Sequence, residues 1–340
     1  MRTFFTLFVV AVLAAGGWLA WALASSVTPD GQKLVLLRPG YPTRRIAMEL
    51  KSAGVIRNAH AFIFWHYLHR KHSLKAGEYL FDKTANGIEV HNRLARGDIY
   101  VHTVVIPEGF TMFDIAQAIQ DAGLGSSQAF LNVAMSDTAL IADLDPEAKT
   151  LEGYLFPNTY EFTRTQSLQE MAGAMVKQFR QVAREIDLAP NVGPGASEGG
   201  AEENGVRKIV TMASIIEKET GVPEERPVVA SIYYNRLEKS VALQADPSVI
   251  YAEQLQGTYS GALHHDDMKF NSAYNTYTHP GLPPGPIGNP GKTSLEAAMH
   301  PAITDYFYFV SDGNGHHRFA QTLEEHNRNV AAYRRIMAAK

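Results

Sequence analysis

From Phe4 to Ala24 the chain carries no charge and almost nothing polar. No other stretch restricts the architecture as strongly. As a helix at 1.5 Å per residue this run is about 31 Å long, enough to cross the hydrocarbon core of a bilayer. Arg2 precedes it, and Trp18 and Trp21 lie toward its far end. A basic residue before a span stays cytoplasmic and tryptophans settle at the interface, so this arrangement predicts a cytoplasmic tail over 1–3, a transmembrane anchor over 4–24 and export of everything after it. Ala22-Leu23-Ala24 also has the small residues of a signal-peptidase site. The apolar run exceeds the ~7–15 residues of a cleaved signal, which favours an uncleaved anchor.

The 340 residues leave room for more than one cored domain beyond the anchor. A net charge of -4 gives no electrostatic reason to expect nucleic acid as a partner, and the absence of cysteine excludes disulfides, thiolate nucleophiles and cysteine-bound metals. After a short polar tether, residues 30–100 read as a membrane-proximal α/β unit. Leu34–Leu37 is a strand running into Arg38-Pro39-Gly40, a helix follows with Ile46 and Leu50, and Ile63, Phe64, Trp65 and Leu68 suggest a second, buried helix. Lys75–Phe81 returns as a strand, and Ile88–Leu94 closes the unit as a helix ending at Gly97.

The same order recurs over 101–165. Val104-Val105-Ile106-Pro107-Glu108-Gly109 matches the first strand and turn, Ile115-Ala116 matches Ile46-Ala47, and Leu151–Phe156 echoes Lys75–Phe81. This reads as duplication of a small α/β unit, although two unrelated strand-helix pieces sharing Pro-Gly turns would look similar. The remainder, 166–340, carries the candidate chemistry. Within it, 190–205 is rich in Gly, Pro, Ala and acids and predicts a mobile loop.

Directly after that loop, Val206–Thr220 predicts an apolar-faced helix, with Ile209, Met212, Ala213 and Ile216 on one side and Gly221 and Pro223 ending it. It carries Glu217 and Glu219. At ~100° per residue these stand about 200° apart, so at most one enters a given cleft. Glu219 lies at the edge of the apolar face and nearest the C-terminal end, where the helix dipole and partial burial both raise a carboxyl pKa toward that of a general acid. Both acids could equally be solvated or ion-paired, with Lys218 and Arg226 close by.

Downstream, Tyr274-Asn275-Thr276-Tyr277 precedes Gly281-Leu282-Pro283-Pro284-Gly285-Pro286-Ile287-Gly288-Asn289-Pro290-Gly291, too rich in Pro and Gly for a helix or central strand. Aromatics and amides on such a loop suit a sugar or peptide cleft, and a purely structural loop fits equally. His264, His265, His316, His317 and His326 lack a convincing metal-ligand spacing and read as solvated loop histidines. No phosphate-binding or zinc-protease motif occurs. An exported acid facing aromatics points to glycan cleavage. A glycosidase normally needs two carboxyls, for which Asp246 is the second candidate, though Asp246-Pro247 also suits a turn.

The chain resembles the YceG-like, MltG family of endolytic murein transglycosylases. The resemblance is carried by LEGYLFPNTY at Leu151–Tyr160, MASIIEKET at Met212–Thr220, NRL at Asn235–Leu237, LQADPSVIY at Leu243–Tyr251, AYNTY at Ala273–Tyr277, GLPPGPIGNPG at Gly281–Gly291, YFV at Tyr308–Val310, HRF at His317–Phe319 and EHN at Glu325–Asn327. Asn158 stands where that family often has aspartate, and Arg318 where it has a smaller residue.

The resemblance implies an α+β chain: an N-terminal transmembrane helix, small duplicated α/β units including a LysM-like one at 101–165, then a mixed catalytic domain. It implies a single-pass protein of the cell inner membrane with its domains in the periplasm. It implies Glu219 as the catalytic acid, with Gln244, Asp246, Asn275 and Tyr277 around the sugar and Glu217 in support. Peptidoglycan strands and cell-wall synthases are the implied partners, with no cofactor and no metal. A hydrolase of the same bond and a non-catalytic glycan-binding scaffold are the competing readings.

Overall fold

The computed structural model describes residues 2–69, 71–188 and 205–339. The loop expected over 190–205 lies, but for Gly205, outside the described residues. Helix α1 (Arg2–Ala24) is the apolar run, helical throughout, with Ala22 and Leu23 buried near its end. It is the one helix among the described residues long and apolar enough to cross a membrane. Then come β1 (Lys33–Leu37), α2 (Thr43–Ser52), α3 (Ala59–Leu68), β2 (Gly77–Phe81) and α4 (Gly87–Arg96).

Each boundary has a local cause. Asn58 accepts from the His60 and Ala61 N–H groups and so caps α3. Asn86 and Glu89 form a reciprocal capping box on α4, which ends where Gly97 turns left-handed at φ 81°. Strands β1 and β2 pair antiparallel from Lys33↔Phe81 to Leu37↔Gly77, placing Val35, Leu37, Tyr79 and Phe81 on the inner face. Leu50, Phe62, Val90 and Leu94 complete that core. Helix α3 departs from the sequence expectation, because Phe64 and Leu68 are exposed rather than buried. Apart from His60, His66 and the Tyr67 hydroxyl the helix is apolar, and only Ala59, Ala61 and Phe62 are fully buried.

Next come β3 (His102–Ile106), α5 (Met112–Asp121), α6 (Ser127–Ser136), β4 (Asn158–Phe162) and α7 (Leu168–Glu185), so the strand-helix-helix-strand-helix order occurs twice. The second returning strand is not Leu151–Phe156. That stretch is a buried turn, because Gly153 takes φ 89° and Pro157 has no N–H to donate, and the strand follows at Asn158. The remaining elements are α8 (Gly205–Glu219), α9 (Arg226–Glu238), α10 (Asp246–Gln256), α11 (Lys292–Met299), β5 (Tyr308–Ser311), β6 (His317–Ala320) and α12 (Leu323–Ala339).

The described strands form three two-stranded sheets, β1-β2, β3-β4 and β5-β6. The molecule is thus a mixed α+β chain of helices and small hairpin-like sheets. It divides into two units, one of Met1–Thr103 with Glu161–Ser167 and one of Val104–Tyr160 with Leu168–Lys340.

Candidate active site

Helix α8 is the centre of the second unit and packs against α9, α10 and α11. Val210, Met212, Ala213, Ile215 and Ile216 are wholly buried. The Pro-Gly loop is fastened to this helix rather than left as a rim. Ser214 Oγ accepts from the Ile287 N–H at 3.0 Å, and the Arg207 guanidinium donates to the Pro284 carbonyl. Pro286 through Gly291 are buried. Gly281–Gly291 is thus a packed structural stretch that does not line the cavity described below, whereas Tyr277, earlier in the same segment, does.

The two α8 acids have different surroundings. Glu217 accepts from Arg226 at 2.8 Å and from the Gly291 N–H at 2.9 Å, which ties α8 to the start of α9 and to the loop. Burial holds its carboxyl above the ordinary range despite those donors. Glu219, the last residue of α8, instead lines a cavity of about 270 Å³. Desolvation pushes its pKa up to about 7; the Tyr233 hydroxyl bond lowers it, the Asp246 charge raises it and the Arg236 charge lowers it.

Gln244, Asp246 and Tyr277 line the same cavity. Asp246 opens α10, and Tyr277 donates its hydroxyl to the Asp246 carboxylate. Gln244 has φ 54°, a left-handed backbone unusual for a side-chain-bearing residue, which its neighbours hold in place. Its N–H donates to the Thr276 carbonyl at 3.2 Å, and the Ala245 N–H donates to Thr276 Oγ1 at 2.9 Å.

Asn275 is not at the cavity. It is fully buried; its amide donates to the Met268 and Phe270 carbonyls at 3.1 and 2.7 Å, and its Oδ1 accepts from the Tyr277 N–H at 2.9 Å. Both its amide donors and one carbonyl lone pair go to folding the loop that presents Tyr277, and its burial keeps it out of the cavity.

Leu243, next to Gln244, and four further residues complete the cavity wall: Tyr233 and Arg236 from α9, Phe309 from β5 and His326 from α12. Arg236 donates to the carbonyls of Phe307 at 2.7 Å, Leu243 at 2.9 Å and Ala242 at 3.1 Å, and its guanidinium lies 5.3 Å from the centre of the Tyr308 ring. One side chain thereby joins the segment carrying Gln244 to the strand carrying Phe309. His326 stacks on Tyr308 with ring centres 5.2 Å apart, and its buried Nδ1 has no protein partner. Burial and the Arg236 charge hold its pKa below the usual imidazole value.

None of these four was assigned a role from sequence. Arg236, Phe309 and His326 fall inside motifs already noted, whereas Tyr233 reads as one more apolar helix position. His326 is a helix residue, not a solvated loop histidine. His317 is not one either: it lies on β6 and its Nδ1 bonds Glu225 at 2.6 Å, with His316 Nδ1 at 3.2 Å from the same carboxylate.

A second buried acid supports the site from behind. Glu152 is 1% exposed and accepts from the Met112 N–H at 2.9 Å, from Asn289 Nδ2 at 2.7 Å and from the Tyr251 hydroxyl. Burial still pushes its pKa up to about 7. Asn289 also accepts from the Leu155 N–H at 2.9 Å and donates to the Phe110 carbonyl at 2.9 Å. The Leu151–Tyr160 and Gly281–Gly291 motifs are therefore two halves of one buried joint behind α8.

The chain is similar to known proteins along most of its length. The model of the YceG-like family matches residues 35–332. A Bacillus subtilis protein named endolytic murein transglycosylase is 34% identical over 310 residues, covering 86% of this chain and 82% of the relative. A Streptococcus pneumoniae protein of the same name is 27% identical over 359 residues; the match covers 95% of this chain and only 63% of that longer relative. A crystal structure of a yceG-like protein from Listeria monocytogenes superposes with TM-score 0.57 at 32% identity, over 88% of this chain and 99% of that one. The membrane-length helix, the mixed α+β fold and a match running through every element of the cavity all lead to one assignment: the chain belongs to the YceG-like family.

Proposed function

We propose that this protein is an endolytic murein transglycosylase that cuts the β-1,4 bond between N-acetylmuramic acid and N-acetylglucosamine, with Glu219 as its single acid and base. The observation that carries the reading is the placing of Glu219 in a cavity walled by tyrosines, Phe309 and amide, with burial raising its pKa to about 7. A carboxyl of that pKa is half protonated at neutral pH and can both give and take a proton. Protonated Glu219 donates to the glycosidic oxygen as the bond to the muramic acid anomeric carbon breaks. The carboxylate so formed takes the proton of the muramic acid 6-hydroxyl, whose oxygen bonds to that carbon. The products are a new N-acetylglucosamine hydroxyl and a 1,6-anhydro end, and no water is consumed.

Intramolecular attack removes the need for a second catalytic carboxylate. This agrees with the engagement of Asp246 by Tyr277, which suits Asp246 to orienting the sugar. Gln244 and Tyr277 are assigned to sugar contacts, and Glu217 to holding α8 against Arg226 and the loop. The twice-repeated strand-helix-helix-strand-helix order supports LysM-like units that hold glycan near the catalytic unit. Helix α1 would anchor the protein in the inner membrane with both units in the periplasm, beside the cell-wall synthases that extend the strand.

The test is digestion of uncrosslinked glycan strands by the full chain and by Glu219→Gln, with products weighed by mass spectrometry. Wild type should yield anhydro ends, each lighter than a reducing end by one water, and Glu219→Gln should lose about 10²–10⁴-fold in rate. Ordinary reducing ends would instead establish a hydrolase, and unchanged cleavage by Glu219→Gln would remove Glu219 from the mechanism.

A further inference from the structure

We infer that α3 lies on the membrane surface, with Phe64, Tyr67 and Leu68 set into the interface of the bilayer that α1 crosses. The inference rests on the reading of α1 as a membrane anchor. Helix α3 contains no Lys, Arg, Asp or Glu; besides Tyr67 its polar side chains are His60, exposed in its first turn, and His66, which bonds His91 at 3.2 Å. Its inner side is satisfied: Ala59 and Phe62 belong to the core of the first unit. Its other side faces outward: Phe64, Tyr67 and Leu68 are 49%, 53% and 63% exposed. These three stand at i, i+3 and i+4 and so form one continuous stripe.

The contacts of α3 with α1 identify what covers that stripe. Ala61 is buried together with Ala22 and Leu23, and Trp65 packs against the same cluster. Phe64 and Leu68 follow Ala61 by three and seven residues, which places them along the same line of the helix surface. The side of α3 that touches the last turn of the membrane-length helix thus continues into the apolar stripe. The polar groups nearby suit a headgroup layer. Trp21 is an interface residue by type, and Arg57, just before α3, lies over its ring at 5.0 Å. Lys71 and Lys75, just after α3, are exposed cations suited to anionic lipid. An apolar stripe flanked by cations, held at the end of a span, is the pattern of a helix lying in the interface plane.

The chain contains no cysteine, so single labels can be placed at will. Nitroxide labels are put on F64C, L68C, S52C and L13C of the full chain in nanodiscs of phosphatidylethanolamine and phosphatidylglycerol. Accessibility to oxygen, which dissolves in lipid, is then compared with accessibility to a nickel chelate, which does not. The oxygen-to-nickel ratio at F64C and L68C should exceed that at S52C, on exposed α2, by about tenfold, approaching that at L13C within α1. If F64C and L68C match S52C while L13C is lipid-buried, the interface assignment for α3 is wrong and the stripe awaits a protein instead. If L13C also matches S52C, the anchor reading fails and the inference fails with it.

Discussion

At the scale of single residues, the protonation of Glu219 is set by burial against a small set of named neighbours, and each can be removed separately. Chemistry that begins with the protonated acid should lose kcat/KM as pH rises through about 7, roughly tenfold per unit beyond it. The neighbours predict opposite movements of that limb. Asp246→Asn deletes a charge that raises the Glu219 pKa and should move the limb to lower pH; Tyr233→Phe deletes a bond that lowers it and should move the limb up. A pH-rate series on the two variants checks both signs, and movement in the same direction would contradict the arrangement. That Glu219 closes an apolar-faced helix was legible in the sequence, from the spacing of the apolar residues and from Gly221 and Pro223 after it. Asn275 was not, because an amide beside tyrosines looks the same whether it meets a sugar or two loop carbonyls. Only the positions of Met268 and Phe270 decide between them.

Among elements, the joint behind α8 determines whether the cavity exists. Gly153 has φ 89°, and a Cβ there would meet Pro286 Cγ at 2.5 Å and Val210 Cγ1 at 2.8 Å. Gly153→Ala should therefore push the Pro-Gly loop off α8 and cost about 2–4 kcal/mol, read as a fall in thermal midpoint with loss of activity. Glu152 gives the pH counterpart. Its carboxyl is raised from 4.5 to about 7 in the fold, so the folded state binds a proton that the unfolded chain has released. That contribution is fully present below about pH 4.5 and is lost as pH rises through about 7, roughly 3 kcal/mol in all. Glu152→Gln should flatten this part of the stability-pH curve, measured by denaturant unfolding at pH 5 and pH 8. Helix and strand order was largely readable from period and turn residues. The returning strand β4 was misplaced because Leu151–Phe156 has strand-like composition, while its backbone is turned by one left-handed glycine packed against a loop more than a hundred residues away. Helix α3 was misjudged for a related reason: apolar periodicity reports that water is avoided and is silent on whether protein or lipid takes its place.

For the molecule as a whole, the division of the chain has a consequence for the order in which it is made. The first unit is not a continuous stretch, since Glu161–Ser167 belongs to it while Val104–Tyr160 does not. Its buried Glu78 carboxylate is bonded by His102 at 2.6 Å and by Arg164 at 3.0 Å, the second of these from the returning segment. A chain cut after Thr103 should keep β1, β2 and their core but expose Glu78 on one side, and hydrogen exchange over Gly77–Phe81 should be faster in it than in the full chain. Protection equal to that of the full chain would show that the returning segment adds nothing. During synthesis from the N-terminus the first unit would stand unfinished while some sixty further residues emerge, its buried Glu78 carboxylate short of its Arg164 partner throughout. Arg164 then acts as a timing mark. The first unit is completed only once the chain has passed Leu151–Tyr160, so a product that stalls before that point keeps its β1-β2 core but leaves Glu78 without Arg164 and that edge more open to proteases.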